Sequence, residues 1–125
     1  MNGHTVRKFR LSDKFISQYE DKKVPWGPVG YVTYKRTYAR RLDERTPGAV
    51  GTEEWYQTCR RVIEGMFDIQ KQHVSHLGLE WNDAKAQKTA KEAYDRLFDL
   101  KWTPPGRGLW MMGTKFVEER TAAGL

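Results

Sequence analysis

One apolar stripe constrains the fold of this chain more than any other feature of its sequence. Its members recur every three or four residues, which is the period of an α-helix that buries one face. They are Trp55, Cys59, Val62, Ile63, Met66, Ile69, His73 and Leu77. Thr52 is the candidate N-cap, and the following Glu53 and Glu54 complement the helix dipole. Gly78 can end the helix in the left-handed conformation. Gly65 lies in mid-helix at a cost of about 1 kcal/mol relative to Ala, which predicts close packing against it.

A second amphipathic helix is predicted soon after Gly78. Asn82 or Asp83 can cap it, and its buried face comprises Ala86, Ala90, Ala93, Tyr94, Leu97 and Phe98. The helix should end before Pro104, because a residue that precedes proline avoids helical backbone. Two long helices joined by a short connection predict an antiparallel pair.

Shorter elements are predicted before this pair. Ser12 can cap a helix within residues 12–20. The segment 22–30 then interrupts the chain with two prolines and two glycines. Tyr31, Tyr34 and Tyr38 favour a helix over residues 30–42, although the β-branched residues between them leave a strand as the alternative. Residues 43–51 are predicted to form a loop.

Length and charge limit the class of protein. A chain of 125 residues forms one domain or part of one. We expect a flexible basic N-terminus over residues 1–10, a helical domain over 11–102, and a docking loop with the start of a further domain over 103–125. The net charge of +6 suits phosphate-bearing partners or serves solubility alone, and composition does not separate these two readings.

The single cysteine, Cys59, excludes an internal disulfide and indicates a reducing compartment. Its place on the apolar stripe predicts a buried, unreactive thiol. His73 and His76 have a spacing that could hold a metal with Glu80, but no firm third ligand accompanies them, so ordinary histidines are favoured. No catalytic residue and no metal ligand is assigned. Without a signal peptide or a long apolar run, we expect a cytoplasmic protein that does not contact membranes.

The run KRTYARR, residues 35–41, combines cations with aromatic rings. Such a run can contact nucleic-acid phosphates while tyrosines stack on bases. The favoured alternative is a helix whose tyrosines pack inward and whose arginines are solvated or paired with carboxylates.

The segment TPPGRGLWMMGT, residues 103–114, lacks both the dinucleotide-binding fingerprint and the ending of a phosphate-binding P-loop. It is predicted to be a docking loop that crosses the face of a larger body. Two prolines would stiffen it, its glycines would allow close backbone approach, and its arginine could reach carbonyls, a carboxylate or a phosphate. Its predicted contact residues are Pro104, Pro105, Gly106, Arg107 and Trp110, with Leu109, Met111 and Met112 packing beside them.

Three stretches carry a family resemblance: WGPVGYVTYKRTYARRL (26–42), EEWYQTCRRVIEGMFDIQ (53–70) and EAYDRLFDLKWTPPGRGLWMMGT (92–114). In this order they resemble the N-terminal region of adenosylcobalamin-dependent (class II) ribonucleotide reductases. The resemblance extends over most of residues 10–125.

The resemblance implies the chemistry of complete reductases. Those enzymes reduce ribonucleotides to deoxyribonucleotides through a cysteine thiyl radical that adenosylcobalamin generates, and a thioredoxin-like dithiol restores their redox cysteines. It also implies a mainly α fold: antiparallel amphipathic helices with a Pro/Gly-rich docking loop that leads to the first strand of a ten-stranded α/β barrel missing from this chain. Thr121, Ala122 and Gly124 would approach the substrate.

Cys59 matches none of the catalytic cysteines that the resemblance implies. We therefore expect a reductase fragment that is inactive alone, does not bind adenosylcobalamin by itself, and has the remaining barrel as its partner. One alternative is a small basic module that binds nucleic acid through residues 35–41. Another is a regulatory piece that docks on an intact reductase.

Overall fold

The computed structural model describes residues 7–24, 26–104, 109–110 and 112–114. Within these ranges it contains four α-helices: α1 (Asp13–Ser17), α2 (Pro28–Thr37), α3 (Trp55–His76) and α4 (Asp83–Phe98). A single 3-10 turn spans Leu42–Glu44, and the described ranges contain no strand beyond an isolated bridge between Arg41 and Thr52. The predicted mainly α fold is confirmed for this part of the chain.

Helices α3 and α4 are antiparallel, as the short connection predicts. The indole N–H of Trp55, at the start of α3, donates to the Phe98 carbonyl at the end of α4 (3.0 Å). One turn away, the Tyr94 hydroxyl donates to the Tyr56 carbonyl (2.8 Å). The predicted face of α4 is buried at Ala86, Ala90, Tyr94, Leu97 and Phe98, and it packs on the stripe of α3.

The stripe of α3 is buried over its first half only. Trp55, Cys59, Val62 and Ile63 are buried, whereas His73 and Leu77 are exposed near the end of the helix. The prediction for the last turns was wrong because α4 begins only at residue 83, so little of the chain covers the far end of α3.

Two predicted helix starts are corrected. Thr52 does not cap α3, because it pairs with Arg41 in the bridge that closes loop 42–51. Glu54 is the N-cap instead, and its backbone N–H donates to Gln57 Oε1 (2.8 Å), as in a capping box. Helix α2 is confirmed over its rival, a strand, but it ends at Thr37 rather than at Leu42 and begins at Pro28, a residue expected to interrupt the chain. Proline is well suited to the first helical position, where its missing N–H has no partner to lose.

The chain before α2 packs on α3 and α4 through aromatic rings. Phe9 is buried and its ring lies 5.3 Å from that of Phe67, although residues 1–10 were expected to be flexible. Residues 1–6 lie outside the described ranges. Ser12 caps α1 as predicted by accepting from the Phe15 N–H (3.2 Å). The Tyr19 ring contacts Tyr94 at 4.7 Å. In the described ranges no helix has the length and apolar character needed to cross a membrane.

Candidate functional site

A buried ion pair lies at the start of α3. Glu53, just before the helix, and Arg61, two turns into it, face the same side and are both almost fully buried. Arg61 Nε lies 2.8 Å from Glu53 Oε2 and Nη2 lies 3.1 Å from Oε1, so the guanidinium binds the carboxylate with two parallel hydrogen bonds. The Thr58 hydroxyl donates to Oε1 as well (2.8 Å). The carboxylate is therefore well satisfied despite its burial.

The two terminal nitrogens of the Arg61 guanidinium donate hydrogen bonds to backbone carbonyls of the docking loop. Nη2 donates to the Leu109 carbonyl and Nη1 to the Met112 carbonyl, each at 2.6 Å. A longer bond from Nη1 reaches the Trp110 carbonyl (3.3 Å). One side chain of α3 thus holds three backbone carbonyls of the docking loop, those of Leu109, Trp110 and Met112. We call Glu53, Arg61 and the described part of the segment, residues 109–110 and 112–114, the arginine clamp.

Two glycines, Gly65 on α3 and Gly113 in the docking loop, allow the two backbones of the arginine clamp to approach closely. A β-carbon built on Gly65 would lie 2.6 Å from the Gly113 nitrogen, so any larger side chain on α3 would displace the segment. Gly113 has a φ of +78°, a backbone conformation that residues with a β-carbon rarely adopt. The predicted close packing at Gly65 is confirmed, and its partner is the docking loop.

Trp110 marks the outer side of the clamp. Leu109 is buried, but 42% of Trp110 remains exposed, and its ring lies under the Arg40 guanidinium at 4.2 Å. Pro104 is half-buried. The other predicted contact residues of the docking loop, Pro105, Gly106 and Arg107, lie outside the described ranges, as does Met111. A docking role for this loop stays a prediction.

A second buried carboxylate, Glu64, joins α3 to the N-terminal segment. It accepts from the Leu11 N–H (2.8 Å) and from Arg60 Nε (2.8 Å). Arg10 Nη1 lies 3.4 Å away and Arg45 Nη2 lies 3.8 Å away. Burial acts to lower the pKa of Arg60, but Glu64 and Asp13 outweigh it and raise this pKa.

The basic run 35–41 is used largely within the chain. Lys35 donates to the Glu53 carbonyl (2.8 Å) and pairs with Glu54 (3.3 Å). Arg40 and Arg41 pair with Glu44 and Asp43 of the neighbouring turn. Tyr34 is buried, with its hydroxyl 2.5 Å from that of Thr58. These contacts agree with the packing interpretation of the run.

The predicted burial of Cys59 is confirmed, since its side chain is fully inaccessible and burial raises the pKa of the thiol well above its ordinary value. His73, His76 and Glu80 are exposed. Across the described ranges no three potential ligand side chains are grouped as a metal site would require. Thr121, Ala122 and Gly124 lie outside the described ranges, so their predicted substrate contacts remain expectations.

Sequence reasoning missed the charged residues of this site. Glu53 was assigned to the helix dipole, and Arg61 and Glu64 were given no role. A signal was present, because Thr58, Arg61 and Gly65 recur at the spacing of a second stripe beside the apolar one. A mid-helix glycine on the same face as an arginine indicates a helix face that packs against the backbone of another segment.

This chain belongs to the ribonucleotide reductase family: a family model described as "Ribonucleotide reductase alpha domain" matches residues 11–114. It is 40% identical, over 118 residues, to a probable adenosylcobalamin-dependent ribonucleoside-triphosphate reductase of Dictyostelium discoideum, covering 93% of this chain and 15% of that protein. The adenosylcobalamin-dependent ribonucleoside-triphosphate reductase of Euglena gracilis is 35% identical over 92% of this chain and 16% of its own length. The corresponding enzyme of Lactobacillus leichmannii is 36% identical over 92% of this chain and 15% of its own length.

A solved structure supports the same assignment. The crystal structure of a B12-dependent (class II) ribonucleotide reductase matches with a TM-score of 0.70 and 33% identity, covering 86% of this chain and 14% of that one. The chain therefore spans about one-seventh of the length of the reductases that it matches. The resemblance read from residues 26–42, 53–70 and 92–114 is confirmed.

Proposed function

We propose that this chain acts as the helical N-terminal part of an adenosylcobalamin-dependent ribonucleoside-triphosphate reductase, and that it has no reductase activity alone. Its relatives carry that name, and the chain covers only 14–16% of their length. On this proposal, the remaining reductase barrel is its partner. The complete enzyme would take a ribonucleotide substrate, adenosylcobalamin and a thioredoxin-like reductant.

The arginine clamp is the observation that best supports a scaffold role. Arg61 holds the carbonyls of Leu109 and Met112 while leaving 42% of Trp110 exposed. A clamped backbone with a partly uncovered indole suits a segment that presents a rigid apolar surface to a larger body. Residues 115–125 would continue from this segment toward the barrel, where Thr121, Ala122 and Gly124 would meet the substrate.

The described residues do not fit adenosylcobalamin. The cleft between the N-terminal segment, loop 40–46 and α3 is lined mainly by arginine, lysine and carboxylate side chains, whereas a corrin ring needs a broad, largely apolar cavity. The only thiol of the chain, Cys59, is fully buried and its raised pKa keeps it protonated. Thiyl and dithiol chemistry would thus have to come from cysteines of the remaining enzyme.

A two-part assay tests the proposal. The purified chain is first given a ribonucleoside triphosphate, adenosylcobalamin and a dithiol, and we expect no deoxyribonucleotide. The chain is then co-expressed with the part of the Dictyostelium enzyme that lies outside the matched region, and we expect turnover to appear. Expression of that part alone is the control. Turnover by the chain alone would refute the proposal, and failure of co-expression to restore any activity would remove its support.

A nucleic-acid-binding module is the second function that the sequence suggests, and no contact among the described residues favours it. A gel-shift titration at rising salt separates the two, because a true phosphate-binding surface gives tight binding with a steep salt slope.

A further inference from the structure

One cleft of the molecule is large enough for a small phosphate-bearing molecule, and the proposed function gives it no role. It has a volume of about 980 Å³ and lies between the N-terminal segment, loop 40–46 and the first half of α3. Ligand sites commonly range from about 300 to about 1,000 Å³. Lys8, Arg10, Arg41 and Arg45 are among the basic residues that line it, and the hydroxyl-bearing Thr46 and Thr114 also border it.

Arg45 is the unusual side chain in this cleft. Only 40% of its side chain is exposed, yet within the described ranges its one ionic contact is with Glu64 at 3.8 Å, beyond hydrogen-bond distance. Glu64 already accepts at 2.8 Å from both the Leu11 N–H and Arg60. Burial lowers the pKa of Arg45, Glu64 offsets this only in part, and the nearby Arg10 lowers it further. A partly desolvated guanidinium without a hydrogen-bonded anion is costly, so this group favours an anionic ligand.

Four of the five other carboxylates that line the cleft, all except Glu20, pair with other arginines rather than with Arg45. Asp43 pairs with Arg41, and Glu44 pairs with Arg40. Asp13 binds Arg60 at 2.7 Å, and Glu53 binds Arg61 at 2.8 Å. Arg10 contacts Glu64 only at 3.4 Å and keeps 57% of its side chain exposed. Two guanidinium groups, those of Arg10 and Arg45, thus share one carboxylate whose strongest bonds go to other donors.

We propose that Arg10 and Arg45 form a binding site for a phosphate group in this cleft. The tetrahedral oxygens of a phosphate can accept from two guanidinium groups at once at hydrogen-bond distance, whereas Glu64 Oε1 lies 3.4 Å from Arg10 Nη1 and 3.8 Å from Arg45 Nη2. The phosphate comes either as the free ion or as the end of a polyphosphate or nucleotide chain, and the size of the cleft accommodates both. The proposal stands independently of the reductase assignment.

The test compares two arginine-to-glutamine variants with the same change in net charge. Arg45→Gln removes one of the two arginines proposed to bind the phosphate. Arg36→Gln, on α2, is the matched control, because Arg36 is exposed, does not line the cleft and has no ionic partner within the described ranges. Inorganic phosphate, tripolyphosphate and ATP are titrated separately into each protein by isothermal calorimetry at constant ionic strength. Thermal melting monitored by circular dichroism checks that each variant is folded.

We expect saturable binding of at least one probe to the unmodified chain. Loss of charge-assisted hydrogen bonds should weaken it about tenfold or more in Arg45→Gln. The affinity of Arg36→Gln should change by less than about twofold, since exposed distant charges are screened by salt. Tighter binding of tripolyphosphate and ATP than of phosphate would identify a polyphosphate ligand, and equal affinities would identify the free ion.

Equal weakening in the two variants would overturn the proposal, because it would show diffuse attraction by the net positive charge. Absence of saturable binding at millimolar probe concentrations would also overturn it. If Arg45→Gln proves unfolded, Arg10→Gln replaces it, and the same comparison with Arg36→Gln decides. A chain that binds the probes but restores no reductase activity would support this site while weakening the reductase proposal, so the two failures are distinguishable.

Discussion

Arg61 joins α3 to Glu53 and to the docking loop through its guanidinium. Its guanidinium is almost fully buried and is bonded to both oxygens of Glu53 and to three carbonyls of the docking loop. Lysine has no planar fork and could not satisfy the same set of acceptors. A buried ion pair of this kind contributes little net stability compared with apolar residues, but it is costly to break from one side.

Arg61→Met is therefore expected to lower the free energy of unfolding by about 3–5 kcal/mol, because it leaves the Glu53 carboxylate buried and uncompensated. Arg61→Lys should lose less, since the charge remains. Urea denaturation monitored by circular dichroism measures both.

The exposed Arg96 on α4 provides the matched control, and Arg96→Met should change stability by no more than about 0.5 kcal/mol. Adding Glu53→Gln to Arg61→Met should cost less than the sum of the single changes, because the two groups are coupled. Strict additivity of the two changes would contradict the buried pair.

At the scale of elements, α3 and α4 end in the same hydrogen-bonding motif with different residues. After α3, the Leu79 N–H donates to the Val74 carbonyl and the Gly78 N–H to the Ser75 carbonyl. After α4, the Lys101 N–H donates to the Arg96 carbonyl and the Leu100 N–H to the Leu97 carbonyl. Both are Schellman motifs, in which the residue after the cap is left-handed. That residue is Gly78 in α3, with a φ of +75°, but Leu100 in α4, with a φ of +59°.

The two ends provide a reciprocal experiment. Gly78→Leu should lower the free energy of unfolding by about 1–2 kcal/mol, because a side chain in the left-handed region meets the following carbonyl. Leu100→Gly removes that strain from the residue after α4 but adds backbone entropy to the unfolded state. The free energy of unfolding is therefore expected to rise by no more than about 1 kcal/mol. Thermal or urea unfolding of both variants measures the difference. A stability loss of more than about 1 kcal/mol in Leu100→Gly would show that the leucine side chain contributes more by packing than it costs in strain.

On the scale of the whole molecule, the exposed Trp110 lies next to the buried ion pair of Glu53 and Arg61. Trp110 lies on the arginine clamp with 42% of its surface exposed, and the region that this chain matches makes up only 15% of the Dictyostelium reductase. Tryptophan is enriched among the residues that dominate binding energies at interfaces. If the docking loop contacts the remaining reductase, Trp110 is the side chain expected to contribute most.

Trp110→Ala should weaken association with the remaining part of the enzyme by roughly 30-fold, corresponding to about 2 kcal/mol for an interface hot spot. Co-purification of the tagged chain with the co-expressed remainder of the Dictyostelium enzyme measures the recovered complex. Val50→Ala is the control, because Val50 is 90% exposed and lies in the loop before α3. Unchanged recovery with Trp110→Ala would show that the docking loop is not part of the interface.

The sequence by itself determined the two long helices, their antiparallel pairing, the cap at Ser12 and the burial of Cys59. These features follow from local periodicity and capping chemistry, which act over a few residues and can be read directly from the chain. Family membership could also be inferred from the sequence, because three stretches resemble the reductases and occur in the same order. The sequence also indicated that Gly65 packs closely, but did not identify its partner.

Only the tertiary structure decided what the charged residues of α3 do. Arg61 contacts Leu109 and Met112, about fifty residues away, and Arg45 lies near Arg10 only because loop 40–46 packs beside the N-terminal segment. The exposed end of the apolar stripe, at His73 and Leu77, likewise depended on where α4 begins. Such contacts join residues distant in the chain, and local periodicity holds no information about which buried charge finds which partner. Burial is a property of the assembled fold, and the pairing of charges follows from it.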